Sequence, residues 1–239
     1  MIISLNEMLK KKLSRFRRKT FEAISSDRYS RPSLYEMDKK LEKYLTHRKG
    51  FFIEAGANNG FSQSNTYYFE QLRGWRGILV EGIPELYEQC VLERPRSRVF
   101  NCALVDNEFT DRITMKYANL MSIVEGALKS QSADLEHINK GRKVQQNLDT
   151  YEIEVPARTL TSILDECKVE KIDLFSLDVE GFELNVLKGL DFNKYRPNYM
   201  LIEARFKEEI DNYISDLYIQ VDRFSNHDFL YQRRDIAVH

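Results

Sequence analysis

The chain has 239 residues, of which 42% are hydrophobic and 31% charged, so it can bury a sizeable core and is not expected to be disordered. No apolar run is long enough to cross a bilayer, and the N-terminal MIISLNEMLKKK lacks the apolar stretch of a secretory signal. Three cysteines without a CxxC spacing argue against a disulfide framework or a zinc site, so we expect reduced thiols in a cytoplasmic protein.

The formal net charge of −1 conceals an uneven distribution. Residues 1–21 hold seven basic side chains and one acidic one, a net charge of +6, so the rest of the chain carries −7. An acidic body is a poor match for phosphate backbones, which argues against nucleic-acid binding.

The first predicted element is an amphipathic helix over residues 4–24. Leu9, Leu13 and Phe16 recur at helical spacing, and the basic run is expected on the outer face. Three roles are compatible with this helix: contact with an anionic membrane, capping of an acceptor site, or packing against the body. With a second helix over residues 34–46, it makes residues 1–48 a helical appendage to a main domain at residues 49–239.

From Gly50 onward, short apolar runs alternate with helical stretches, which predicts a parallel α/β sheet. An insert at about residues 118–150 is too long for an ordinary connection, and such inserts are either substrate lids or disordered. Strands are predicted at 51–55, 77–81, 98–104, 112–117, 151–157, 172–178 and 199–203, helices at 63–73, 84–93, 160–168 and 182–190, and a terminal strand pair at 217–223 and 228–233.

The first candidate site is the loop Glu54-Ala-Gly56-Ala57-Asn58-Asn-Gly60, which follows a predicted strand and precedes a helix. Glycine permits the tight reversal at position 56, and the helix amides face the crevice at the strand ends. A dinucleotide fingerprint carries three glycines around a pyrophosphate, whereas this loop has two glycines and a preceding acid. S-adenosylmethionine has no pyrophosphate, and Glu54 with the loop amides could bind its carboxylate and ammonium. The loop alone is equally compatible with a simple glycine turn.

Carboxylates mark two further strand ends. Glu81 follows the next predicted strand, where a carboxylate can accept both hydroxyls of a ribose. Asp178, Glu180 and Glu183 lie within six residues at the end of another strand. Clustered carboxylates are costly unless they bind or catalyse, so a functional site is expected, with helix capping by Asp178 as the alternative.

Three stretches resemble the FkbM-type methyltransferases: EAGANNGFSQSNTYYFEQLRGWRGILVEGIPELYEQC, TLTSILDECKVEKIDLFSLDVEGFELNVLKGL and YMLIEA. The similarity covers roughly residues 50–205, and DVEGFELNVLKG is its most distinctive block. The resemblance implies a class I methyltransferase, Rossmann-like α/β fold. Its seven-stranded sheet is mostly parallel, with helices on both faces and the sixth and seventh strands added antiparallel. It also implies S-adenosylmethionine as cofactor and O-methylation of sugars or natural products.

The resemblance also implies which positions contact each part of the cofactor. Two positions depart from the family pattern: Gly82, where proline is common, and Glu54, where aspartate is more usual. The implied contacts are the methionine part with Glu54, Gly56 and Gly60, the ribose with Glu81, the adenine with Asn101, Cys102 and Ala103, and the transferred methyl group with Asp178.

Other functions fit less well. A short-chain dehydrogenase needs Tyr-x-x-x-Lys after the glycine loop, and the match at Tyr35 and Lys39 precedes it. An adenine-type or glutamine-type N-methyltransferase carries an Asn/Asp-Pro-Pro-aromatic turn where residues 178–181 read Asp-Val-Glu-Gly, so a hydroxyl acceptor is favoured. A non-catalytic binding module of the same fold is the remaining alternative.

Asp178 is the predicted general base, with Glu180, Glu203 and His227 as alternatives. Asp178, Glu180 and Glu203 together offer carboxylate oxygens that suit Mg²⁺ or Ca²⁺. No histidine lies within the motifs that carry these acids, so we do not favour a metal. The expected acceptor is a small molecule or glycan, and no motif in the insert or N-terminal helices identifies it.

Overall fold

The computed structural model describes residues 5–108, 111–144 and 149–237. A seven-stranded sheet forms its centre. From one edge to the other, its strands are Tyr218–Arg223 (β10), Asp228–Arg233 (β11), Tyr199–Glu203 (β9), Leu174–Leu177 (β8), Phe51–Ala55 (β1), Arg76–Val80 (β2) and Arg98–Phe100 (β3).

The five strands from β9 to β3 are parallel, and β11 is antiparallel to both of its neighbours. Because β10 is antiparallel to β11, it runs in the direction of the parallel strands. The expectation that both of the last two strands are added antiparallel is therefore correct for β11 and wrong for β10. The predicted mostly parallel, seven-stranded sheet is confirmed.

Helices cover both faces of this sheet, because alternate residues of a buried strand point to opposite sides. Phe52 of β1 belongs to an apolar cluster with Phe69 and Trp75, whereas Ile53 belongs to a second cluster with Ile163 and Val186. The helices are Leu5–Ala23 (α1), Met37–Leu41 (α2), Tyr67–Arg73 (α3), Pro84–Glu93 (α4), Gln131–Val144 (α5), Leu160–Cys167 (α6), Glu183–Lys188 (α7) and Lys207–Ile214 (α8).

A second, four-stranded sheet stands beside the first. Its order is Ala103–Leu104 (β4), Tyr151–Arg158 (β7), Arg112–Tyr117 (β5) and Ile123–Val124 (β6). The single strand predicted over residues 98–104 is therefore wrong: its two ends belong to different sheets. Asn101 lies at the break, where its side-chain amide donates to the carbonyls of Glu81 and Gly82, at 2.9 Å each.

Two predicted helices are shorter in the structure. Residues 34–46 form a 3₁₀ turn and then the short α2, since Tyr35 and Glu36 have positive φ values of 50° and 55° that interrupt an α-helix. The helix predicted from residue 63 begins at Tyr67. Helix α8 was not predicted, and none of the helices in the described part of the chain is long and apolar enough to cross a membrane.

The N-terminal helix is confirmed as α1, but its predicted orientation is wrong. Leu9, Leu13 and Phe16 were expected to face the body, and they are 57%, 73% and 73% exposed. Arg18, on the opposite side of the helix, is buried instead. The division of the chain at residues 48 and 49 stays a prediction.

Candidate active site

Gly56 shapes the loop that follows β1. Its φ of +79° lies in the left-handed region, and a Cβ placed on it would lie 1.8 Å from the main-chain oxygen of Asp178. Only glycine fits this approach without displacing the backbone. The loop therefore contacts the end of β8 directly, and together they form one wall of a cleft.

Gly60, with a φ of +78°, lies where the loop contacts α4. A Cβ at this position would lie 2.9 Å from Cγ of Arg94 and 3.0 Å from Sγ of Cys90, at the C-terminal end of α4. Gly60 thus allows the loop to pack against α4, and the residues that line the cleft do not include it.

The cleft lies at the carboxyl ends of β1, β2 and β8, with an empty volume of about 920 Å³ that is partly open to solvent. Asn101 and Glu203 are not in its lining, and His227 is exposed in the turn between β10 and β11. The predicted site residues that do line it are Glu54, Gly56, Ala57, Asn58, Glu81, Cys102, Ala103, Asp178 and Glu180.

Glu81 comes directly after β2 and is only 7% exposed. Its two carboxylate oxygens accept the backbone N–H groups of Asn58 and Ile83, both at 2.8 Å. Burial raises the pKa of Glu81 to about 7, and these backbone donors oppose the rise. The two bonds fix the orientation of the carboxylate, and each oxygen retains a lone pair for a ligand donor.

Glu54 belongs to a buried polar network. Its Oε2 accepts from Ser64 at 2.9 Å, Thr66 at 2.6 Å and the fully buried Arg94 at 3.2 Å. Its Oε1 accepts the backbone N–H of Asn65 at 2.9 Å. The Glu54 carboxylate therefore holds the segment that precedes α3 against β1 by hydrogen bonds. Its predicted contact with the methionine part of the cofactor stays a prediction.

Asp178, Glu180 and Glu203 bring three carboxylates together, with one oxygen of each lying within 4.8 Å of the others. Asp178 comes directly after β8 and Glu203 ends β9. Since these strands are parallel neighbours, their carboxyl ends meet at the same edge of the sheet. Among the described residues, Oε2 of Glu203 is buried without a hydrogen-bond partner.

Burial and the close approach of like charges raise the pKa values of Asp178 and Glu180. Asp178 contacts the solvent of the cleft but is closely surrounded by protein, and burial together with Glu203 and Glu180 raises its pKa well above the ordinary value. Burial and Glu203 raise the pKa of Glu180 to about 7, whereas Arg205 opposes the rise. Asp178 and Glu180 therefore hold their protons to higher pH than ordinary carboxyl groups do.

Glu183 shapes the loop between β8 and α7. It is 1% exposed and accepts the backbone N–H groups of Gly181 at 2.8 Å and Val179 at 3.3 Å. Burial raises its pKa to about 8. This acid of the DVEGFE block therefore holds the loop that carries Glu180, rather than facing the cleft.

His137 of α5 lies beside the carboxylate of Glu180, and it was not predicted from the sequence. Its Nε2 lies 3.5 Å from Oε2 of Glu180, and burial lowers its pKa. Arg205 also donates a hydrogen bond to Glu180. Sequence reasoning proposed His227 because it lies near the last strand, and no sequence signal relates position 137 to the end of β8.

The insert forms part of the cleft wall. Asn119, Leu120 and Ser122 line the cleft, and Nδ2 of Asn58 donates to Oδ1 of Asn119 at 3.3 Å. These residues were not predicted, although the unusual length of the connection indicated a possible lid. Of the two alternatives for the insert, disorder does not apply to its described part, which is folded and contacts the glycine loop, and its role as a substrate lid stays a prediction.

Asp178, Glu180 and Glu203 could also hold a divalent cation, since each offers a carboxylate oxygen. Glu180 is already paired with Arg205, which competes with a cation for this carboxylate. That the protein works without a metal stays a prediction.

Residues 54–231 match the Methyltransferase FkbM domain. The chain belongs to this family. Together with the strand order of the central sheet, family membership gives a class I methyltransferase, Rossmann-like fold. A search of curated proteins found no match.

Three solved structures are similar to this chain at low identity. A TehB-like SAM-dependent methyltransferase from Corynebacterium glutamicum is 10% identical, with a TM-score of 0.41 over 95% of this chain and 99% of that one. Aeropyrum pernix fibrillarin, with natively bound S-adenosyl-L-methionine, is 13% identical, with a TM-score of 0.40 over 83% and 76%. A SAM-dependent methyltransferase from Thiobacillus denitrificans, in complex with S-adenosyl-L-homocysteine, is 12% identical, with a TM-score of 0.35 over 86% and 72%.

Within the FkbM pattern, the departure at Gly82 has a structural counterpart. A Cβ at Gly82 would lie 2.3 Å from Sδ of Met115, and both residues line the cleft. The methionine of β5 thus occupies space that a side chain at position 82 would need.

Proposed function

We propose that this chain is an S-adenosylmethionine-dependent O-methyltransferase that methylates a hydroxyl group of a sugar, glycan or natural product. Membership of the FkbM family supports methyl transfer. The observation that carries the proposal is that one cleft holds both the anchored carboxylate of Glu81 and the carboxylate of Asp178, whose pKa is raised.

The cleft residues fit the parts of this cofactor. Gly56 lets the loop after β1 pass close to the end of β8, and together they form the wall beside which the methionine part would lie. Glu81 offers an oriented carboxylate to a ribose diol. Cys102 and Ala103 are small, buried residues that leave room for a flat adenine ring. The bound cofactor would supply a methyl group on a positively charged sulfur.

Asp178 is the residue we assign to the proton of the acceptor. The hydroxyl oxygen would attack the methyl carbon, so that the O–C bond forms as the S–C bond breaks, and the Asp178 carboxylate would accept the hydroxyl proton. The raised pKa of Asp178 makes it a stronger base than an ordinary aspartate. General-base catalysis typically contributes about 10²–10⁴-fold, and alignment of the two reactants about 7–11 kcal/mol.

A hydroxyl acceptor is favoured by the polar groups on the lid side of the cleft. Asn119 adds a hydrogen-bonding side chain that accepts from Asn58 at 3.3 Å. These groups suit the several hydroxyls of a sugar. The Asp-Val-Glu-Gly turn at residues 178–181 also lacks the Pro-Pro-aromatic sequence that accompanies amide or adenine acceptors.

Calorimetry with S-adenosylmethionine and S-adenosylhomocysteine, followed by a mass-resolved methyl-transfer assay, tests this proposal. The assay should cover glycans, lipid-linked sugars and small natural products. Binding with transfer to a hydroxyl would support the proposal, whereas transfer only to amines would indicate an N-methyltransferase. Binding without turnover on any acceptor would favour a non-catalytic module, and tight binding of NAD alone would contradict methyl transfer altogether.

A further inference from the structure

Helix α1 carries an apolar stripe that faces away from the protein. Leu9, Leu13 and Phe16 are 57%, 73% and 73% exposed, and Ile24, just after the helix, is 72% exposed. Their spacing of four, three and eight residues brings them to one side of a helix with 3.6 residues per turn. A soluble amphipathic helix normally turns such a stripe toward the core, so this orientation requires a reason.

The reason is that the polar side of α1 is the side that binds the body. Nη2 of Arg18 lies 2.8 Å from Oε1 of Glu93, and Nε of Arg15 lies 3.1 Å from Oε2 of the same carboxylate. The Arg18 guanidinium also stacks 3.5 Å from the ring centroid of Phe61. Because Arg18 is on the opposite side of the helix from Leu9, these bonds turn the apolar stripe outward.

Basic side chains flank the apolar stripe on both sides. At 100° per residue, Lys10 and Arg17 border one edge of the stripe and Lys12 borders the other, and all three are exposed. The first 21 residues carry a net charge of +6, whereas the remaining chain carries −7. This asymmetry would orient the molecule with α1 toward a negatively charged surface.

We propose that α1 docks the protein on an anionic lipid bilayer, with Leu9, Leu13 and Phe16 inserted among the acyl chains and the flanking cations at the lipid phosphates. An apolar face bordered by lysine and arginine is the pattern of helices that lie in the plane of a membrane interface. A stripe-to-stripe contact between two copies of the chain fits less well, because it would bring together two segments that each carry a net charge of +6. This inference does not depend on the methyl-transfer reaction.

The helix that we propose to dock lies next to the cleft. Phe61, on which Arg18 stacks, immediately precedes Ser62 in the cleft lining. Helix α1 and the cleft therefore share one loop.

Flotation with vesicles of phosphatidylglycerol mixed with phosphatidylcholine tests the proposal. The full chain should float with these vesicles and remain unbound with phosphatidylcholine alone. The double variant Leu13→Ser/Phe16→Ser should lose roughly tenfold or more in partition per apolar side chain removed. Lys10→Gln/Lys12→Gln should lose about fivefold per cation, an effect that added salt should reproduce in the wild type.

A matched control is available on another helix. Leu135 of α5 is 55% exposed and Lys143 is also exposed, so Leu135→Ser/Lys143→Gln should float like the wild type. All of these positions are at the surface, and unchanged melting temperatures would confirm that the variants fold. Flotation of Leu13→Ser/Phe16→Ser equal to wild type would overturn the proposal. The proposal would also be overturned if light scattering showed a wild-type dimer that Leu13→Ser/Phe16→Ser dissociates, while the wild type bound no vesicles.

Discussion

Glu81 and Asp178 both follow parallel strands, but their surroundings predict different roles. Glu81 is held by two backbone donors, which suits a fixed contact with a ligand. We predict that Glu81→Gln raises the dissociation constant for S-adenosylhomocysteine roughly tenfold to hundredfold, because a charge-assisted hydrogen bond is worth about 1.5–3 kcal/mol. Calorimetry measures this, and the turnover rate at saturating cofactor should change little. An unchanged dissociation constant would remove Glu81 from the cofactor site.

Asp178→Asn should have the opposite effect. The amide keeps the shape of the carboxylate and loses its basicity, so the single-turnover rate should fall at least about hundredfold while the dissociation constant stays within about twofold. Single-turnover mass spectrometry and calorimetry separate the two quantities. A normal rate would transfer the role of base to Glu180, Glu203 or a histidine. Lost cofactor binding would instead make Asp178 a cofactor ligand.

At the scale of elements, the contact between the loop after β1 and the end of β8 can be tested with two glycines. Gly56 and Gly126 have φ values of +79° and +82°, but of the two only Gly56 would bring an added Cβ within 4 Å of other atoms. Alanine at either site costs about 1–2 kcal/mol in backbone strain. Gly56→Ala must also displace the Asp178 carbonyl, an overpacking effect that costs about 1–3 kcal/mol more.

We therefore predict that Gly126→Ala lowers the melting temperature modestly and keeps S-adenosylhomocysteine binding. Gly56→Ala should be less stable and should lose binding, because the loop that forms the cleft wall is shifted. Thermal melts and calorimetry on both variants provide the comparison. Equal losses in the two variants would show that backbone strain alone accounts for the effect.

Elements with a continuous apolar run were predictable from sequence. The strands Phe51–Ala55 and Tyr199–Glu203 have the predicted bounds, because a parallel strand buried on both faces is apolar throughout. The break at Asn101 depends on a side-chain bond to the neighbouring strand end, which hydrophobic pattern does not encode. Helix α8 buries only Ile210 and Ile214, too short a pattern to mark a helix.

The residues of the candidate site are likewise of two kinds, those that the sequence predicts and those that it does not. Gly56, Glu81 and Asp178 follow strands that the pattern identifies, so their common edge could be inferred from the sequence. Asn119 and His137 reach the site from the insert, and only the pairing of β5 with β7 and the path of α5 bring them there. Sequence spacing carries no information about that path.

At the scale of the whole molecule, buried acids should make the unliganded protein less stable as pH rises. The pKa values of Glu81, Glu180 and Glu183 are raised from 4.5 to about 7, 7 and 8, so the folded state binds more protons than the unfolded state. The stability that this contributes is fully present below about pH 4.5 and is lost as pH rises through about 7 to 8. His137, whose pKa is lowered, acts in the opposite direction below its ordinary value of 6.5.

Urea unfolding between about pH 6.5 and 8 should therefore show a falling free energy of unfolding. Glu183→Gln is the informative variant, because its amide oxygen can still accept from Gly181 while the titration is removed. Its stability should decline less steeply than that of the wild type. A wild-type stability that is constant or rises over this interval would contradict the raised pKa values.

Removal of residues 1–24 tests whether α1 and the cleft act independently. No described residue of this segment lines the cleft, so the dissociation constant for S-adenosylhomocysteine should be unchanged. Stability should fall, because Glu93 loses its cationic partners Arg15, Arg18 and Lys19 and Phe61 loses the guanidinium that stacks on it.

The added substitution Glu93→Gln should recover part of that stability, which separates the ion pairs from the rest of the helix. We further predict that the truncated protein uses its acceptor less well while binding the cofactor normally, since α1 contacts Phe61 beside the cleft. Methyl transfer at saturating cofactor, compared between the full chain and the truncated Glu93→Gln protein, measures this. Equal rates toward every acceptor tested would confine α1 to docking and stability, whereas a raised dissociation constant for the cofactor would show that the helix also supports the glycine loop.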